Sequence, residues 1–422
     1  MAAPARPAGE STTGTADREV SMSFGKHQAD IVISTPLRTA IGTFGGSLKD
    51  VPAVDLGATV GKAVLERSGV DPARIDQVIV GNILSAGQGM NPGRQVGVKS
   101  GVPVEAPGLT LNRMCGSGLQ AVINAAQEIA LGDADVVLAG GIENMDQAPF
   151  LMPKGRYGYR MGMPDAKIMD HMVYDGLWDI FNDYHMGMTA ENVAERYGIT
   201  REDCDAYAAR SHQLAAKANS EESFSGQIVP VQIKQKKQMV DFTTDEHVRP
   251  EATAEGLGNL RPVFKKDGLV TAGNASGVND GAALMLVSSA AAAEELGLPI
   301  DGRLVSAAVS GVDPAYMGIG MVPASRKALE KAGLSIDDID VVEANEAFAS
   351  VALAVQRELK VPDEKMNPVG GAVALGHPIG ATGAVLTVKT LHELQRRGGR
   401  YGLVTLCIGG GMGIAAVVER VS

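Results

Sequence analysis

Two stretches far apart in the chain can be laid on one another without a gap. Leu65-Glu66-Arg67-Ser68-Gly69-Val70-Asp71-Pro72-Ala73-Arg74-Ile75-Asp76-Gln77-Val78 matches Leu329-Glu330-Lys331-Ala332-Gly333-Leu334-Ser335-Ile336-Asp337-Asp338-Ile339-Asp340-Val341-Val342 position by position. Each copy reads as the end of an amphipathic helix, a glycine stop and then an apolar strand, so one supersecondary unit is used twice. The next units repeat as well: glycine turn, amphipathic helix, strand and glycine pair recur as Gly116–Gly141 and Gly380–Gly411. Alternating strands and helices predict two halves, each a mainly parallel or mixed sheet covered by helices, that pack face to face.

The remaining sequence sorts around these halves. Residues 1–27 are rich in Ala, Pro, Gly, Ser and Thr, lack an apolar signal region and read as a disordered extension. A mitochondrial transit peptide is the rival reading, opposed by Glu10, Asp17 and Glu19. The first half then spans 28–147 and is completed by about 279–299, and the second spans 300–422. Residues 148–278 do not repeat and form an insertion suited to substrate binding. Its Met152, Met161, Met163, Met169, Met172, Met186 and Met188 suit either an adaptable cavity floor or ordinary core filling. Its Lys234, Lys236 and Lys237 read as a solvated edge.

Composition excludes several function classes. A formal charge of −11 opposes non-specific nucleic-acid binding. No apolar run approaches the roughly 18 residues needed to cross a bilayer. Three widely spaced cysteines, Cys115, Cys204 and Cys407, fit neither a disulfide framework nor a zinc ribbon and point to a reducing, cytoplasmic setting.

Four stretches carry chemistry. Cys115, in Asn112-Arg113-Met114-Cys115-Gly116-Ser117-Gly118-Leu119, lies just before a helix whose apolar face runs Leu119, Val122, Ile123, Ala126, Ile129 and Ala130. The helix N-terminus favours a thiolate there, and the flanking glycines admit a substrate. A lone cysteine in such a turn also reads as a small buried residue. The other three stretches favour the nucleophile. Asn345-Glu346-Ala347-Phe348-Ala349 ends a strand with a polar pair, Gly376-His377-Pro378 sits in a glycine loop opening a helix, and Cys407-Ile408-Gly409-Gly410-Gly411 closes a strand.

With these motifs, and with HMGMTAENVA from His185 and TAGNASGVNDGAA from Thr271, the chain resembles the thiolase family over residues 28–422. The resemblance implies an α/β fold of duplicated βαβαβαββ halves, a five-layer αβαβα core and an inserted loop domain. It implies a transferase that condenses two acetyl-CoA to acetoacetyl-CoA and CoA, with no cofactor or metal, CoA being substrate and product. Cys115 would hold the acetyl group, His377 take its proton, and Cys407 deprotonate the second acetyl-CoA. His377, a water on Asn345, and the backbone amides of Cys115 and Gly409 would face the oxyanions. Ser276, Arg249, Leu177, His185, Met317 and Phe348 would line the CoA site, and the chain would be a homodimer or homotetramer. Met321 stands where many relatives carry proline. The HMGMTAENVA stretch resembles the short-chain subgroup; a broad-chain 3-ketoacyl-CoA thiolase and a non-catalytic acyl- or lipid-binding protein are the alternatives. Decarboxylative condensing relatives generally carry histidine where Cys407 stands.

Overall fold

The computed structural model describes residues 30–159 and 167–421. The extension expected at 1–27 lies outside these residues, as do Met161 and Met163.

The core strands are β1 (Ile31–Thr39), β2 (Gln77–Gly81), β3 (Gly108–Leu111), β4 (Val136–Asn144), β5 (Asn279–Ser289), β6 (Gly302–Gly311), β7 (Val341–Ala344), β8 (Tyr401–Ile408) and β9 (Met412–Arg420). The main helices are α1 (Ala53–Ser68), α2 (Pro92–Ser100), α3 (Ser117–Leu131), α4 (Met186–Tyr197), α5 (Arg201–Ser220), α6 (Met321–Ala332), α7 (Ala349–Leu359) and α8 (Thr382–Arg397).

The sequence repeat is a repeat of structure. Helix α1 stops on Gly69 at φ 71°, a 3-10 turn covers Pro72–Arg74, and β2 follows. Helix α6 stops on Gly333 at φ 68°, a 3-10 turn covers Ile336–Asp338, and β7 follows. Both glycines occupy the left-handed region, which closes the helix without a Cβ penalty. Ile75 and Ile339, at equivalent positions, are then both driven into the core.

The strands run in the spatial order β7-β8-β9-β6-β1-β5-β4-β2-β3. Pairs β2/β3, β2/β4 and β7/β8 are parallel, whereas β5 is antiparallel to both β1 and β4 and β9 is antiparallel to β6 and β8. Among the described residues, the two halves of this path pair where Val32 faces Arg303 and Ile33 faces Gly302.

Side-chain alternation along the strands builds the layers. On β4, Val136 and Leu138 pack with Val60 and Val64 of α1, while Val137 and Ala139 face Val122 of α3 and Val388 of α8. On β8, Val404 and Leu406 pack with Leu119 of α3 and Leu386 of α8, while Leu403 and Cys407 face Val322 of α6 and Val351 of α7. Helices α3 and α8 therefore form a central layer between two sheet halves, each capped outside by its own helices. The stack is αβαβα.

Helices α4 and α5 and a hairpin of Val231–Gln235 with Gln238–Phe242 belong to the inserted stretch. Lys234, Lys236 and Lys237 lie exposed on that hairpin, a solvated edge.

Candidate active site

The nucleophile turn is held in an uncommon conformation. Met114 sits at φ 46°, in the left-handed region that non-glycine residues rarely adopt. Its amide donates to Asn112 Oδ1 at 2.8 Å. Ser117 Oγ accepts from the Arg113 amide at 2.8 Å and donates to the Met114 carbonyl at 2.6 Å. Strain of this kind persists only where surrounding bonds over-determine it, and here it sets Cys115 directly before α3. A Cβ at Gly116 would stand 2.6 Å from Ile408 Cδ1, so only glycine lets this turn rest against the end of β8.

That contact brings the two halves' reactive groups together. The Gly409 amide lies where it favours a thiolate on Cys115. The Asn345 side chain favours a thiolate on Cys407, which lies close enough to Cys115 for a thiolate on one to disfavour a thiolate on the other. Asn345 follows β7, its amide donating to Thr405 of β8 at 2.9 Å. Its Nδ2 stands 3.3 Å from His377 Nε2, and its Oδ1 is buried with no donor among the described residues.

The protonation of His377 follows from its neighbours. Its Nδ1 lies 2.7 Å from Thr382 Oγ1, whose single proton is given to the Pro378 carbonyl at 2.9 Å. Nδ1 must therefore carry the hydrogen, and the Nε2 lone pair faces the site. The His377 amide donates to Asn279 Oδ1 at 2.9 Å, and Asn279 Nδ2 is tied to Gly42 O at 2.9 Å.

Burial governs the charges. It pushes the Cys115 thiol up to about 11, against the pull of the Gly409 amide. It raises the Cys407 thiol further from its ordinary range, with Cys115 adding to the effect. It lowers His377 to about 4. The resting pair is thus a neutral thiol and a neutral imidazole. This corrects the expectation of a thiolate at the α3 N-terminus, because desolvation outweighs the helix dipole and amide donors at a half-buried sulfur.

The remaining sequence-selected residues fall into three groups. Leu177 ends a π-helical turn, Met172–Leu177, and packs with Met114, Cys115, Met172 and Val278 against Ile83, Leu84, Met145 and Ile379. His185 caps α4 through its Nδ1, which accepts from the Gly187 amide at 3.0 Å. Its ring stacks on Phe264 at 4.4 Å, and Phe264 meets Phe348 edge-on at 6.4 Å. Ser276 joins this wall, donating through its amide and hydroxyl to the Ala347 carbonyl at 3.0 and 3.1 Å. Met317 is buried in the cluster that holds Met186, Phe348 and Cys407. Arg249 stands apart: its amide donates to His212 Nδ1 at 3.1 Å, while the exposed guanidinium makes none of the ion pairs among the described residues.

Of the methionines singled out in the insertion, Met172 and Met186 reach this pocket. A Cβ at Gly409 would lie 3.2 Å from Met186 Cε and 3.5 Å from Met114 Cε. Met152 is exposed. Phe264, Thr382 and Glu143 matter to the geometry and were not picked out. Phe264 lies in no motif, Thr382 sits inside the glycine-loop stretch with no sign of its bond, and Glu143 reads as a strand end. Among the described residues no group of three or more His, Cys, Asp or Glu side chains is placed to hold a metal ion.

Residues 31–291 match the family Thiolase, N-terminal domain, and residues 298–420 match Thiolase, C-terminal domain. The chain is 54% identical over 392 residues to an acetyl-CoA acetyltransferase of Syntrophomonas wolfei, covering 92% of this chain and 99% of that one. It is 54% identical to an acetyl-CoA acetyltransferase of Pseudomonas aeruginosa, with 93% and 99% covered. Among solved structures, Bacillus anthracis acetyl-CoA acetyltransferase superposes with a TM-score of 0.90 at 45% identity, covering 93% of this chain and 99% of that one. Human mitochondrial 3-ketoacyl-CoA thiolase does so with the same TM-score, identity and coverage.

Proposed function

This chain belongs to the thiolase family, and on that premise we propose that it is an acetyl-CoA C-acetyltransferase, joining two acetyl-CoA reversibly into acetoacetyl-CoA and CoA. The observation that carries the reading is the convergence of Cys115, His377, Cys407, Asn345 and Gly409 from both halves on one pocket.

The neutral resting pair sets the order of events. Cys115 Sγ attacks the thioester carbonyl of the first acetyl-CoA while His377 Nε2 takes its proton. The C–S bond to CoA then breaks, and that proton leaves with the CoA thiol. A second acetyl-CoA enters, Cys407 passes its own proton to His377 Nε2 and, as the thiolate, removes a methyl proton, and the carbanion forms a C–C bond to the acetyl carbon. The Cys115 sulfur departs as the leaving group and takes the proton held on His377, which restores both thiols. Each oxyanion needs donors in place before charge develops. The Gly409 and Cys115 amides serve the acetyl oxygen, and His377, at that stage protonated at Nε2, serves with Asn345 the thioester oxygen of the second substrate.

Leu177, His185, Met317, Phe348 and Ser276, with Phe264, would line the path of the pantetheine arm, and the free guanidinium of Arg249 suits a phosphate at its outer end. We take CoA as substrate and product and assign no resident cofactor. Strand β3 ends the sheet with a free, half-exposed edge, which suits pairing with a second copy in a dimer or tetramer. Three free thiols support a cytoplasmic setting. No helix among the described residues is long and apolar enough to cross a membrane.

The likeness to the human 3-ketoacyl-CoA thiolase keeps a broad-chain activity as the second reading. Thiolysis of acetoacetyl-CoA against C10 and longer 3-ketoacyl-CoAs decides between them. Faster turnover of the long chains overturns the acetyltransferase reading, and no thiolysis of either, with Cys115→Ala binding CoA esters as well as the parent, leaves a non-catalytic binder.

A further inference from the structure

Glu143 ends β4 with its side chain fully buried. Among the described residues no cation forms an ion pair with it. Instead its oxygens accept from backbone and amide N–H groups: Asn82 Nδ2 at 2.7 Å, Leu84 N at 3.1 Å, Ile83 N at 3.1 Å and Gly380 N at 2.9 Å. Every partner is a donor, so the hydrogen bonds favour the carboxylate, while burial outweighs them and pushes the carboxyl up to about 7.

The four donors come from both halves. Ile83 and Leu84 belong to the first half and floor the apolar cluster around Cys115. Gly380 belongs to the second half and follows His377 in the same glycine loop. A Cβ at Gly380 would stand 2.5 Å from Glu143 Oε2, so the loop backbone rests directly on the carboxylate. The opposite end of that loop is held by Glu346, which accepts from Val373 N at 3.1 Å and from Tyr207, Ser211 and Asn367 side chains at 2.9, 2.7 and 2.8 Å. Glu346 thus ties the loop to its own half and the insertion. Glu143 alone of the two ties it to the floor under the nucleophile.

We propose that Glu143 is a positioning residue for acyl transfer, which holds the His377 loop and the Ile83–Leu84 floor of Cys115 in one frame across the two halves. This rests on the acyl-transfer reading of Cys115 and His377. Two titratable groups bear on the Cys115 sulfur, Cys407 from β8 and Glu143 from β4; burial pushes the Glu143 carboxyl up to about 7, so at pH 8.5 it is a carboxylate and disfavours the Cys115 thiolate. A misplacement of about 1 Å between reacting groups costs roughly 100-fold in rate.

The test compares Glu143→Gln and Glu143→Asp with the parent enzyme in acetoacetyl-CoA thiolysis and in iodoacetamide labelling of Cys115 at pH 8.5, read by peptide mass spectrometry. Glu143→Gln sets an NH2 against N–H donors and removes the charge. Its kcat is expected to fall roughly 10- to 100-fold with KM changed by less than about 3-fold, while Cys115 labels at least about 3-fold faster, since one pKa unit is a tenfold change in thiolate. Glu143→Asp shortens the reach but keeps the charge, so kcat falls and labelling stays within about 2-fold. Unchanged kcat in either variant overturns the proposal, as does a kcat loss in Glu143→Gln with labelling unchanged or slower. Should Glu143→Gln not fold, Glu143→Asp decides by kcat, an unchanged kcat overturning the proposal and a loss with labelling held within about 2-fold supporting it. A Cys115→Ala control that retains thiolysis overturns the acyl-transfer reading itself, whatever Glu143 does.

Discussion

The Nδ1 of His377 lies 2.7 Å from the hydroxyl oxygen of Thr382, and that hydroxyl spends its proton on the Pro378 carbonyl. One side chain without charge therefore decides which imidazole nitrogen can act as the base. Thr382→Val keeps the shape and leaves a buried N–H without an acceptor, at a cost of about 1–3 kcal/mol. The expected result is a kcat lowered by roughly 10- to 100-fold with little change in KM for acetoacetyl-CoA, and recovery in Thr382→Ser. Full activity in the valine variant would show that the tautomer is set elsewhere.

Cys115 and Cys407 share a pocket but are assigned different steps. Incubating Cys407→Ser with acetyl-CoA should still give an acetyl adduct on Cys115 by intact mass, with condensation lost. Cys115→Ser should lose the adduct. Equal loss of acetylation in both variants counts against the division of roles.

Burial holds the Cys115 thiol at about 11 and His377 at about 4. The free enzyme accordingly lacks a thiolate–imidazolium pair at neutral pH. Labelling of Cys115 by iodoacetamide should keep rising with pH through 7, 8 and 9 without levelling. A plateau reached below about pH 8 would place the thiol near or under its unperturbed range and contradict a neutral resting pair.

Lys389 and Glu343 form a buried ion pair at 2.8 Å, and Lys389 Nζ also donates to the Gly370 carbonyl at 2.7 Å. Burial pushes the Glu343 carboxyl up to about 7 from 4.5, with Lys389 pulling it back. A folded-state acid that binds its proton more tightly than the unfolded chain loses stability as pH rises through that window. Lys389→Met removes the counter-charge, so the cost, about 3–5 kcal/mol for a broken buried pair, should appear at pH 8 and shrink at pH 5, where Glu343 can take a proton. Thermal unfolding at the two pH values checks this, and an equal drop in Tm at both would mean that Glu343 does not respond.

The layout of the molecule was legible along the chain because its causes are local. Helix periodicity, left-handed glycines such as Gly69 and Gly333, and the recurrence of Leu65–Val78 at Leu329–Val342 each depend on residues a few positions apart, and they imply two similar halves whatever lies between. The reactive residue types were legible for the same reason: a cysteine before a helix and a histidine in a glycine loop are features of short segments. The ionisation of Cys115 was not, since it depends on how completely strands from both halves exclude water. Neither the tautomer of His377, the carboxylate of Glu143 between Ile83 and Gly380, nor the Phe264 ring between His185 and Phe348 has a local signature. Each exists only where segments hundreds of residues apart meet, because desolvation and hydrogen bonding act through space while sequence patterns record only neighbours along the backbone.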